Sequence, residues 1–129
     1  MRTFFLYIIY KIFWNFFFKI IIGVRYIGEK KLIKHQQFVM VANHNSHADG
    51  VTLMTSIPVD RLAITYPVAA EDYFGKSKLS AFLSWFLINL LLIPRTRDDK
   101  NPKRDPIFIL DSYLKNGKSL IFFPEGSRG

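Results

Sequence analysis

From Phe4 to Val24 the chain is almost wholly apolar and aromatic, and this stretch limits the fold more than any other part of the sequence. Its strongly polar members are Lys11, Asn15 and Lys19, spaced four apart, and the series continues back to Tyr7. On a helix this spacing gathers them into one narrow stripe, with Phe, Ile, Leu and Trp over the rest of the circumference. A helix that is apolar nearly all round belongs in a protein core or in lipid. Large aromatics on every side favour lipid. Fourteen Leu, Ile, Phe and Val residues at about −0.3 to −0.6 kcal/mol each favour insertion by roughly 4 to 8 kcal/mol, against roughly 2.5 to 3.5 kcal/mol for a central lysine. Lys19 costs less, because near a helix end it can snorkel. The balance is favourable by a small margin. A helix lying in one leaflet, with Lys11 and Lys19 reaching for phosphates, and a helix spanning the bilayer both satisfy it. A secretory signal fits less well, since no small-residue cleavage site follows and charges interrupt the apolar region.

The whole chain has 129 residues, one domain's worth. The expected division is a membrane-associated helix and basic connector over 1–35, then an α/β domain over 36–129. Lys and Arg exceed Asp and Glu by 18 to 10, a net charge of +8 that calls for a polyanionic partner. Phosphates or an anionic bilayer fit. Nucleic acid does not, because the aromatics crowd into the apolar helix and do not alternate with Lys and Arg. There is no cysteine, which excludes disulfides, a thiol nucleophile and thiolate metal sites, and fits a reducing compartment.

Beyond a polar, basic segment at Arg25–His35, expected as a short hairpin or loop, the pattern changes. Phe38 to Ala42, Leu62 to Ala69, Leu91 to Ile93 and Ser119 to Phe123 are short apolar runs closed by polar residues or proline, the signature of buried strands. Between them, helices are expected over Gly50–Ser56, from a Ser77 or Ser80 cap through Leu90, and from Pro106 through Leu114 with Gly117 as the stop. Leu79 to Ile93 is expected to be a core helix feeding a strand, with one greasy face that a bilayer or an acyl chain could still meet. Asp98 to Arg104 is expected to be an exposed loop. Strands alternating with helices make an α/β fold: a mainly parallel sheet covered by helices on both faces.

Three polar clusters follow strand ends, where open α/β sheets place their ligands. The first is Asn43-His44-Asn45-Ser46-His47-Ala48-Asp49. Asp49 falls in the first turn of the following helix and can reach back to the His44 imidazole, fixing its tautomer and stabilising the imidazolium, so that His44 can take a proton from a hydroxyl. Ser46 or Asp49 can equally be a plain helix cap. His44, His47 and Asp49 form a weaker metal candidate, because their spacing is not that of a helical zinc site. The second cluster is Phe123-Pro124-Glu125-Gly126-Ser127-Arg128, an anion pocket of backbone N–H groups and a guanidinium. The third is Ile93-Pro94-Arg95, whose arginine can fork a phosphate.

The three together resemble the glycerolipid acyltransferases, the lysophosphatidic acid acyltransferase family. Its motif Asn-His-x-Ser-x-x-Asp is matched by Asn43, His44, Ser46 and Asp49, and its Phe-Pro-Glu-Gly-Thr/Ser-Arg by Phe123 to Arg128. Arg95 matches the arginine of a third motif, with Pro94 where the family carries Asp. The resemblance runs from about Phe38 to the end. It implies acyl transfer from acyl-CoA or acyl-carrier protein to the hydroxyl of a lysophospholipid such as 1-acylglycerol-3-phosphate. His44 would be the general base and Asp49 its partner. Asn43, Ser46, Arg95, Glu125, Gly126, Ser127 and Arg128 would hold the acceptor. No metal or further cofactor is implied. The expected location is the cytoplasmic face of the inner or plasma membrane. Family members continue past the Phe-Pro-Glu-Gly-Thr/Ser-Arg motif, so the resemblance also implies an incomplete sheet, with a non-catalytic membrane-binding fragment as the alternative.

Overall fold

The four apolar runs bounded by proline and polar residues become the strands of one parallel sheet. A computed structural model describes residues 1–43, 46, 48–74 and 76–124. In chain order the elements are α1 (Arg2–Ile22), β1 (Val39–Val41), α2 (Asp49–Ser56), β2 (Thr65–Ala70), α3 (Glu71–Phe74), α4 (Lys78–Ile88), β3 (Leu91–Ile93), α5 (Pro106–Lys115) and β4 (Ser119–Phe122). The strands lie in the order β1-β4-β2-β3, all parallel. All four carboxyl ends therefore share one edge. Pro67, which has no N–H to donate, sits where the pairing of β2 changes partner: Pro67 is the last residue in register with β4, and Val68 the first in register with β3.

Helices cover both faces, as the strand–helix alternation requires. On one face Val51, Met54, Ile57 and Leu62 pack with Ile121 of β4, and Leu6, Tyr10 and Phe18 of α1 close the same cluster. On the other, Ile109, Leu110, Tyr113 and Leu114 of α5 cover Tyr66, Leu91 and Leu120. Asp105 caps α5, accepting from the Ile107 N–H at 2.8 Å, and Gly117 turns the chain with φ 75° before β4.

The buried residues of α1 fall four apart: Leu6, Tyr10, then half-buried Trp14, then Phe18. An unbroken α-helix would rotate such a series steadily off the contact line. Here π-helical turns over Ile8–Trp14 and Phe17–Ile22, wider than α turns, keep it in line. The protein-facing stripe thus lies one residue before the polar stripe, and this corrects the expectation for Lys11. Its ammonium does not reach outward for a phosphate; it turns inward and donates to the Thr55 carbonyl at 2.6 Å, where burial lowers its pKa. The Tyr10 hydroxyl donates to the Ile88 carbonyl at 2.7 Å, and burial pushes its pKa well above the ordinary phenol range.

Three further expectations are corrected. The Arg25–His35 segment is no hairpin: Glu29–Lys34 winds as a 3-10 turn after Gly28, whose φ is 79°. The second strand starts at Thr65, not Leu62, because Val59–Ile64 is also 3-10 and delivers Leu62 to the core. Helix α4 is not a core helix: Leu79, Phe82, Leu83, Trp85 and Leu87 are all exposed, and Ser84 is its buried residue.

Candidate functional site

The hydrogen-bonded ladder between β1 and β4 continues one residue past the strand, with the Ala42 N–H donating to the Phe122 carbonyl at 3.1 Å. Exposed Asn43 and half-buried Phe123 therefore leave the sheet side by side. Helix α2 begins directly over them. A Cβ placed on Gly50 would lie 3.5 Å from Pro67 and 4.0 Å from the Phe123 ring, so the first turn of α2 rests on the chain leaving β4. The first and last sequence clusters are neighbours for this reason.

Asp49 is the first residue of α2. Its carboxylate turns back along the chain, and Oδ2 accepts from the Ser46 N–H at 2.8 Å. Ser46 answers with its own groups: its carbonyl accepts from the Asp49 N–H at 3.1 Å, and its hydroxyl oxygen accepts from the Ala48 N–H at 3.1 Å. This reciprocal turn precedes the helix and does not cap it: the N-cap of α2 is Ala48, with no side-chain bond, so neither Ser46 nor Asp49 is the plain helix cap that the sequence allowed. It also fixes the direction of the carboxylate. His44 and His47 lie outside the described residues, as do Glu125, Gly126, Ser127 and Arg128. Among the described residues no group of His, Asp and Glu could hold a metal ion.

Arg95 follows β3, two strands across from β4 and three from β1, hence about 10 Å and about 14 Å from those strand ends at the usual strand spacing. It does not stand alone. Its Nε donates to both oxygens of Asp72, at 3.0 and 2.8 Å. Arg104 pairs with Glu71, and Arg97 with Asp105 at 2.9 Å. An open hollow of about 520 Å³ is bounded by Glu71, Asp72, Arg95, Arg97, Asp98 and Arg104. Sequence reasoning missed Glu71 and Asp72. The signal was present: they follow the apolar run ending at Ala70, as Asn43 and Arg95 follow theirs.

The structure thus brings Asn43, Ser46, Asp49 and the chain after β4 to one end of the carboxyl edge, with Arg95 and its carboxylate partners at the other. A family model described as Acyltransferase matches residues 23–129, all but the apolar helix. No curated protein and no solved structure matches the chain.

Proposed function

Because the chain belongs to the acyltransferase family, whose chemistry is acyl transfer, we propose that it is a membrane-bound O-acyltransferase acting on a lysophospholipid. The donor is a thioester, acyl-CoA or acyl-carrier protein, and the acceptor is the free hydroxyl of a lipid such as 1-acylglycerol-3-phosphate. The acceptor oxygen attacks the thioester carbonyl while its proton passes to His44. The C–S bond then breaks, and the departing thiolate takes that proton from the imidazolium. Asp49 stabilises the imidazolium and holds the tautomer that leaves the other nitrogen free to accept. Asn43, Ser46, Arg95, Glu125, Gly126, Ser127 and Arg128 bind the glycerol and phosphate of the acceptor. No covalent acyl-enzyme is required.

The observation that carries the reading is the placement of Asp49. It opens α2 beyond a parallel strand, five residues after His44, with its carboxylate bent back toward Ser46. Membrane association has its support in α1, a helix of 21 residues that is long and apolar enough to cross a bilayer. Its packing favours an in-plane position. Leu6 to Phe18, about 18 Å of helix axis, lies against the α/β domain, whose charged Asp60 and Arg61 would enter hydrocarbon if α1 stood upright. The phosphates of the cytoplasmic leaflet are the expected counter-ions for the basic connector.

The test is transfer of labelled acyl groups from acyl-CoA to lysophosphatidic acid in lipid vesicles. His44→Ala is expected to lower the rate by about 10²–10⁴-fold. Undiminished transfer by that variant would remove His44 as the base.

A further inference from the structure

Helix α4 turns its large apolar residues away from the protein. Leu79 is 66% exposed, Phe82 53% and Trp85 39%. Leu79, Leu83 and Leu87 flank a shallow groove of about 320 Å³ whose other walls include Ser77, Ser80 and Ser84. An apolar patch of this kind on a folded chain marks a surface that meets something.

What it meets is indicated by its neighbour and its charge. The rings of Phe5 in α1 and Phe86 in α4 are 4.7 Å apart, and the Arg2 guanidinium lies 4.0 Å from the centre of the Trp85 ring. The exposed face of α4 therefore adjoins that of α1, where Phe4, Ile8 and Ile12 also point outward. Both segments lack acidic residues. From Met1 to Gly28 the charged side chains are Arg2, Lys19, Arg25 and the inward-turned Lys11; from Tyr73 to Ile93 they are Lys76 and Lys78. A second protein surface would be expected to offer some of each sign. Apolar bodies with cations alone match an anionic lipid surface. Eleven residues make about 16 Å of helix, too short to cross the roughly 30 Å hydrocarbon core, so α4 can meet a bilayer only by lying along it.

We infer that α4 is a second bilayer contact, seated in the interface of an anionic membrane beside α1, with Trp85 at the boundary between head groups and acyl chains. The inference rests on the membrane reading of α1 and adds an element to it. Trp is suited to that boundary, since its ring is apolar and its N–H needs a polar partner.

Trp14→Phe leaves Trp85 as the sole tryptophan. With vesicles of phosphatidylglycerol and phosphatidylcholine carrying brominated acyl chains, Trp85 emission is expected to shift to the blue and to be quenched most by bromines near the head groups. In the otherwise unaltered chain, Leu79→Asp with Phe82→Asp is expected to weaken vesicle binding by about tenfold or more. Both sites are more than half exposed, so the fold keeps its core. Vesicle-bound protein with unquenched Trp85, and a double variant that binds like the parent, would overturn the inference and leave the α1 anchor standing. Failure of the unaltered chain to bind the vesicles would bring down both. A dimer in vesicle-free solution that the double variant dissolves would overturn it in favour of contact between two copies.

Discussion

Asp72 and Arg95 follow neighbouring strands: each lies two residues beyond the paired Ala70 and Ile93, Asp72 in α3, and their side chains close a two-pronged ion pair. The register of β2 with β3 brings the two chain exits together, and the turn into α3 presents Asp72 to Arg95. Both are more than half exposed, so the pair contributes under about 1 kcal/mol to stability. Its expected effect is on aim. With Arg95 as a phosphate ligand, Asp72→Ala should raise KM for lysophosphatidic acid while leaving kcat nearly unchanged, and Arg95→Ala should raise it further. Initial rates over a range of acceptor concentration, beside a urea melt, check both halves.

Asn89 ends α4 with φ 63° and is fully buried. Its side-chain N–H groups donate to the carbonyls of Leu62 and Thr65 at 3.1 and 2.5 Å, and its oxygen accepts from Arg2. Asn89→Ala should cost about 2–4 kcal/mol, because it leaves buried carbonyls unpaired. Asn89→Gly should cost about 1 kcal/mol less, since glycine relieves the left-handed backbone. Denaturant melts in detergent give the order.

Gly50 has ordinary contact distances to Pro67 and Phe123. Gly50→Ala is therefore expected to be tolerated, with a gain of about 0.5–1 kcal/mol from helix propensity. Gly50→Leu should push α2 off Phe123 and abolish acyl transfer at little change in helix content. Circular dichroism and the transfer assay separate the two.

Tyr10 gives a pH prediction. Burial raises its folded pKa above the ordinary 10.0, so the neutral phenol is the form that folding favours. The stabilisation is complete below pH 10 and is lost as pH rises beyond it, because the unfolded chain gives up the proton first. The slope from this one group is up to about 1.4 kcal/mol per pH unit. Tyr26 and Tyr113 shift in the same direction, also by burial. Tyr10→Phe should make the alkaline loss shallower, at the cost of the bond to Ile88. Melts between pH 8 and pH 11 measure it.

The strands were legible because apolar runs ended at Pro94, Pro124 and the polar residues after Ala42. Leu62-Ala63-Ile64 looked like strand because an apolar triplet has no period long enough to tell 3-10 from extended backbone. Helix α4 was misplaced for a different reason: apolar spacing shows that a face avoids water, not whether protein or lipid covers it. The direction of Lys11 could not be read from spacing, since it depends on where π turns fall. At the site, Asp49 at the head of a helix was readable from its distance beyond the strand. The place of Asp72 after an apolar run was readable too, but its pairing with Arg95 was not, because the partners are distant in sequence and sheet order brings them together.

The Arg2–Asn89 bond has a mechanical consequence. From Asn89 the chain runs through β3 to Arg95, six residues that measure about 20 Å when extended, and β3 is stiffened by its pairing with β2. That stretch, half of it paired strand, is a short spacer between the start of α1 and the Arg95 guanidinium. If α1 seats in a bilayer as proposed, the depth it adopts also sets the height of the Arg95 guanidinium.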